Sequence, residues 1–193
     1  MHQPDKYLNA LIGDAVSALR SVLDYIAVAI VSPITGSTKD IGFPFSDNSK
    51  DFSGKFGAKT SLGLCDDIVI NHFINEVQAY KGGKGEALWA LNKLRNIDKH
   101  RLLISTVNIA GVYLTVAVGS FVMRDNFHGI PEGQTVNLIT FPPDWDVDIT
   151  SKPCPAFEVR FSEPPYINNT PVLGFLHGVS ESVEHLLDAI SVL

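Results

Sequence analysis

Arg95-Asn96-Ile97-Asp98-Lys99-His100 gathers a cation that can clamp a phosphate, an amide and a titratable imidazole within a stretch, 85–103, that reads as one amphipathic helix. Asn92, Arg95, Asn96, Lys99 and His100 recur at i, i+3, i+4, i+7 and i+8, one contiguous polar stripe. Leu91, Leu94 and Ile97 lie opposite it, with Leu88 and Trp89 helping at the start. Asn96 and His100, four apart, can touch. Arg95 and His100 stand about 140° apart around the axis, so both can reach one phosphate on a partner surface but not each other. Asp98 and Arg101 sit nearer the apolar side and read as a structural pair, whose disruption would damage folding.

The chemistry such a stripe suits is metal-independent RNA cleavage. A histidine that titrates near neutrality can take the proton of a ribose 2′-hydroxyl or give one to the leaving 5′-oxygen. An arginine can hold the phosphate and stabilise the extra charge of the transition state. Transesterification wants two acid–base groups, and a two-fold dimer with this helix at its interface doubles the set. In this reading Arg95 and His100 are catalytic, and Asn96, Asn92 and Lys99 bind substrate.

An arginine followed by a polar residue, with four to six residues between the arginine and a histidine, resembles the signature of the HEPN superfamily. Arg95, Asn96 and His100 fit it position by position. The resemblance implies a small helical bundle, often dimeric and free of cofactors. Many such domains are ribonucleases of toxin–antitoxin and antiphage systems. The wider string Tyr80-Lys81-Gly82-Gly83, Leu88-Trp89-Ala90-Leu91 and Asn96 to Arg101, with Phe43-Pro44-Phe45 upstream, also looks like a group of bacterial proteins of uncharacterised activity. The alternative reading is a non-catalytic helical module that binds a protein or a nucleotide, the segment 98–101 serving fold and interface.

The elements that must position these residues follow from periodicity. Leu8, Leu11, Ala15, Leu19, Val22, Ile26 and Ile30 predict a first helix over 5–31, stopped by Ser32-Pro33. Asp14, Ser17, Arg20, Ser21 and Asp24 then fall on its outer side. The stretch 34–63 is a long polar loop pinned by Phe43, Phe45, Phe52 and Phe56. Asp66 or Asp67 caps a second helix to about residue 80, with Val69, Ile70, Phe73, Val77 and Tyr80 inward. The turn Lys81-Gly82-Gly83-Lys84-Gly85 makes the second and third helices antiparallel neighbours. It has neither the spacing of a phosphate loop nor a strand before it.

Beyond His100 the period becomes alternating, and strands are predicted over 102–110, 112–123, 134–141 and 156–162. Thr170-Pro171 opens a last helix with Leu173, Leu176, Val179, Val183, Leu186, Leu187 and Ile190 inward. The fold class is α+β: a single domain whose helical core, 5–103 and 170–193, carries an inserted antiparallel sheet at about 102–162. A minimal HEPN domain lacks that β region.

The chain has 193 residues and a net charge of −6, which excludes a generic polyanion binder. Charge is uneven: 81–101 holds six basic residues against two acids, whereas 125–193 holds two against ten. The acidic half points to a protein partner or to self-masking rather than to RNA. Residues 102–123 are uncharged and long enough to span a membrane, but Val107, Val112, Tyr113, Thr115, Val116 and Val118, broken at Ala110-Gly111, favour two buried strands and no membrane contact. Cys65 and Cys154 show no metal spacing or disulfide framework, and no signal peptide is read at the start, so a reduced, cytoplasmic protein is expected. His72, His128, His177 and His185 show no companion at ligand spacing, and no metal site is expected. Asp144, Asp146 and Asp148 lack the glycine and distal glutamate of a calcium loop. Trp89 and Trp145 read as core or interface residues.

Overall fold

The computed structural model describes residues 6–101, 106–118, 121–128, 142, 147–148 and 154–191, with 98–101, 107–118, 121–128, 147–148 and 154–157 described by backbone alone. The described residues are mostly helical. They form two compact units. One comprises Asp5–Ser105 with Phe161–Leu193, the other Met1–Pro4 with Thr106–Arg160.

In the first unit α1 (Lys6–Thr35), α4 (Glu86–Arg101) and α5 (Val172–Ser191) pack on one another in pairs. Their shared core includes Val16, Leu23, Leu91, Leu94, Val179 and Val183. Helix α1 runs through Pro33 instead of stopping before it. A proline near the end of a helix removes one backbone hydrogen bond but need not end the helix. Closure comes at Gly36, which sits at φ +68° and donates its N–H to the Ser32 carbonyl at 2.8 Å.

The buried face of α1 is not the expected one. Asn9, Ile12, Val16, Leu23, Ala27 and Val31 are buried, together with Ile26, whereas Leu11 is 64% and Tyr25 72% exposed. The face is turned by one residue, roughly 100° around the axis. Apolar residues occur on both sides of this helix, so hydrophobicity alone does not choose between them. The choice falls on the side that carries Arg20, whose side chain is only 11% exposed. By length and composition α1 is also the one helix among the described residues apolar enough to cross a membrane; a third of that window is buried in the protein.

The stretch 34–63 holds one short helix, α2 (Ser49–Gly54). Asn48 caps it: its Oδ1 accepts from the Asp51 N–H at 2.9 Å, and its Nδ2 donates to the Asp51 carboxylate at 2.8 Å. Phe43, Phe52 and Phe56 are buried and meet Phe73 and Tyr80 at ring separations of 5.4 to 5.6 Å. The phenylalanines pin the loop as expected.

The second predicted helix is shorter than its pattern suggests. It comprises α3 (Asp67–His72) and a π-helical turn, Phe73–Val77. Gln78 ends it in a left-handed conformation, φ 45°. The Gln78 N–H donates to the Phe73 carbonyl at 3.0 Å, and its side-chain amide donates to the carbonyls of Ile74 and Asn75. Its Oε1 in turn accepts the Lys84 N–H at 3.2 Å, tying the helix end to the glycine turn. Asp66 occupies the cap position without a side-chain cap bond.

In the second unit β1 (Thr106–Val118) pairs antiparallel with β2 (Phe121–His128), from Gly111 opposite His128 to Val118 opposite Phe121. β3 (Val147–Asp148) pairs antiparallel with the end of β1, and β4 (Cys154–Phe161) also pairs with β1. The expected break at Ala110-Gly111 is absent, since β1 runs through it. A glycine weakens a strand without having to end it, and Gly111 stays paired opposite His128. The predicted strand over 134–141 lies outside the described residues. In α5, Val172, Val179, Val183 and Leu186 are buried, but Leu173 is 81% exposed and has left the predicted face.

Candidate functional site

Helix α4 carries the polar stripe, and its two halves differ. In the first half Leu88, Trp89, Ala90 and Leu91 are buried, and Trp89, Asn92 and Lys93 bind groups in other segments. The Trp89 indole N–H donates to Asp47 Oδ1 at 2.9 Å, and the Lys93 ammonium lies 2.7 Å from the same oxygen. These two hydrogen bonds, Lys93 first and Trp89 second, hold the Asp47 carboxyl below the usual carboxylate range. Lys93 also sits over the Trp89 ring at 5.6 Å, and Tyr166 packs against that ring at 5.0 Å. Burial pushes the Tyr166 hydroxyl up to about 12.

Asn92 is fixed from the side of α1. Its Oδ1 accepts a hydrogen bond from Arg20 Nε at 2.8 Å. The Arg20 guanidinium lies 4.5 Å over the Phe45 ring and forms an ion pair with Asp24. Asp24 also accepts the Phe43 N–H at 2.9 Å. One part-buried arginine thus joins α1, the phenylalanine loop and α4. Asn92 is therefore a brace, and its oxygen is occupied within the protein rather than presented to a substrate. Sequence reasoning placed Arg20 and Asp24 on the outer side of α1. The available signal was an arginine with an aspartate at i+4 on a helix with apolar residues on more than one side.

Arg95 is half-buried and Asn96 exposed, on adjacent positions. Among the described residues no ion pair engages Arg95. Helix α4 continues to Arg101, so position 100 follows Asn96 by four residues on a helical backbone. The side chains of Asp98, Lys99, His100 and Arg101 lie outside the described residues, as do Asp144, Trp145 and Asp146.

Of the remaining histidines, His177 pairs with Glu181 at 3.3 Å. His72 and His185, with no spacing relation in sequence, line one cleft together. Among the described residues no group of three or more His, Cys, Asp or Glu is arranged to hold a metal ion. Ser182 Oγ donates to the Gly178 carbonyl at 2.8 Å, an intrahelical bond. Cys65 is a buried thiol whose pKa is pushed up chiefly by burial, which disfavours the thiolate.

In comparisons with known proteins, no family model, no curated protein and no solved structure matches this chain.

Proposed function

We propose that this chain is a HEPN-like, metal-independent endoribonuclease that acts as a homodimer, its helical bundle carrying an inserted antiparallel sheet between α4 and α5. Arg95 clamps the scissile phosphate and His100 transfers the proton, each dimer mate supplying one acid–base group. Asn96 and Lys99 orient the strand, and Asp98 with Arg101 holds the end of the helix. The acidic half, 125–193, turns toward a protein partner of the kind that silences a toxin.

The observation that carries the reading is the contrast along α4. Its first half is locked by Arg20 and Asp47, while Arg95 and Asn96 stand at the open side of the next turn. A cation presented from a rigid helix is preorganised to meet a phosphate, which is where electrostatic catalysis gains most. The test compares wild type with Arg95→Ala and His100→Ala on mixed RNA in the presence of a chelator. Cleavage by wild type alone, with unchanged unfolding midpoints, supports the reading. Equal cleavage by all three, or none by any, sinks it.

A further inference from the structure

The turn at 81–85 lacks the spacing of a phosphate loop, yet the fold turns part of it into the rim of a cleft. Lys84 and Gly85 meet His72 and Glu76 from one side and Ser182 and His185 of α5 from the other, around about 320 Å³. Leu88 and Leu186 supply an apolar wall. Residues far apart in sequence therefore place two imidazoles, an ammonium and a hydroxyl around one space.

The rim is built rather than incidental. A Cβ at Gly85 would stand 2.2 Å from the Val77 carbonyl oxygen, so only glycine lets the turn press against the π-helical end. The Gly85 N–H donates to the Gln78 carbonyl at 3.3 Å, and the Lys84 N–H to the Gln78 side chain at 3.2 Å. Lys84 is thereby fixed beside Glu76, with Nζ 2.7 Å from Oε2. Both side chains of that pair are more than half exposed, so the pair is weak and can be exchanged for another anion. The π-helical turn Phe73–Val77 carries Glu76 and Val77 into the lining, and such turns gather at functional sites.

Three groups that carry or can acquire positive charge (His72, His185 and Lys84) face a single lining carboxylate, Glu76. Glu181, Glu184 and Asp188 neighbour His185 along α5 but do not line the cleft. The volume is at the lower end of small-molecule sites, with polar groups converging on one side and leucines on the other. We propose that this cleft binds a phosphate monoester of mononucleotide size, its phosphoryl oxygens held by His72, His185 and Lys84 and its body laid against Leu88 and Leu186. Glu76 is the resident counter-charge that the phosphate displaces from Lys84. The proposal is independent of the roles given to Arg95 and His100.

The test follows the histidine ring signals by NMR in the full chain. The probes are inorganic phosphate, a nucleoside 5′-monophosphate and the uncharged nucleoside. The His72 and His185 signals shift together and saturate with both phosphate probes, more tightly with the mononucleotide, while His177 stays still. His72→Gln and His185→Gln each weaken mononucleotide binding about ten-fold, the loss of one charge-assisted hydrogen bond. Glu76→Gln tightens it several-fold by releasing Lys84, a gain that misfolding cannot produce. Non-saturating shifts, equal shifts at His177, equal binding of the uncharged nucleoside, or no gain in Glu76→Gln would each overturn the proposal.

Discussion

Both halves of α4 carry polar side chains, and those described on either side of Leu94 have different surroundings. Trp89, Asn92 and Lys93 are each committed to a partner in another segment, whereas Arg95 and Asn96 stand half-buried and exposed. A helix can hold a reactive group steady only if something else holds the helix. Here the bracing and the presenting residues follow one another along a single element. The difference teaches that polar periodicity marks a face without saying which part of it is scaffold and which is site.

The sharpest way to break that division is to mutate across it and compare activity with stability. Arg95→Ala and His100→Ala lower RNA cleavage by about 10²- to 10⁴-fold each, as loss of a clamp or a proton-transfer group does. Their urea midpoints stay within about 0.5 kcal/mol of wild type in equivalent stability. Arg20→Met does the reverse. It leaves the Asp24 carboxylate and the Asn92 amide without their buried partner and costs about 3 kcal/mol in urea unfolding. If Arg20→Met unfolds at the same urea concentration as wild type, the bracing role is wrong.

Two smaller effects sharpen the comparison within the first half. Trp89→Phe keeps the ring against Tyr166 but loses the hydrogen bond to Asp47, a cost of about 1 kcal/mol in thermal melts. Asp47 gives the smallest signal, in acid. Its folded pKa is lowered by Lys93 and Trp89, so the stability it contributes is present above its unfolded value and lost as pH falls through the lower folded one. Because the side chain is 66% exposed, solvent screening limits this to about 0.5 kcal/mol. Asp47→Asn flattens the decline in melting temperature below roughly pH 4. An identical decline in both proteins would show that Asp47 is not held by its two donors.

The sequence made the existence of the long helices plain and their orientation much less so. In α4 the apolar run Leu88, Leu91 and Leu94 has one strongly apolar side, and those residues are buried as expected. Helix α1 offers two apolar sides, and the one turned inward carries Arg20 to Asn92 and Phe45, contacts that no local pattern encodes. The end of α3 was missed for a related reason. The apolar spacing continues to Tyr80, but the backbone closes at Gln78 through a side-chain bond to the next turn. Gly111 read as a break because glycine often ends a strand, yet cross-strand pairing carries it. Arg95 and Asn96 were legible as neighbours on one helix. The meeting of His72 with His185 was not, because it depends on how α3 and α5 are placed around α4.

The buried guanidinium of Arg20 has a consequence for how the chain can change over generations. Its partners, Asp24, Phe45 and Asn92, are scattered over three segments but satisfy one another through a single group. A substitution at any one of them strands the rest, so drift at these positions is tolerated only as a joint replacement. Among related chains the four positions should be inherited as a block, either all present or all exchanged for an apolar set.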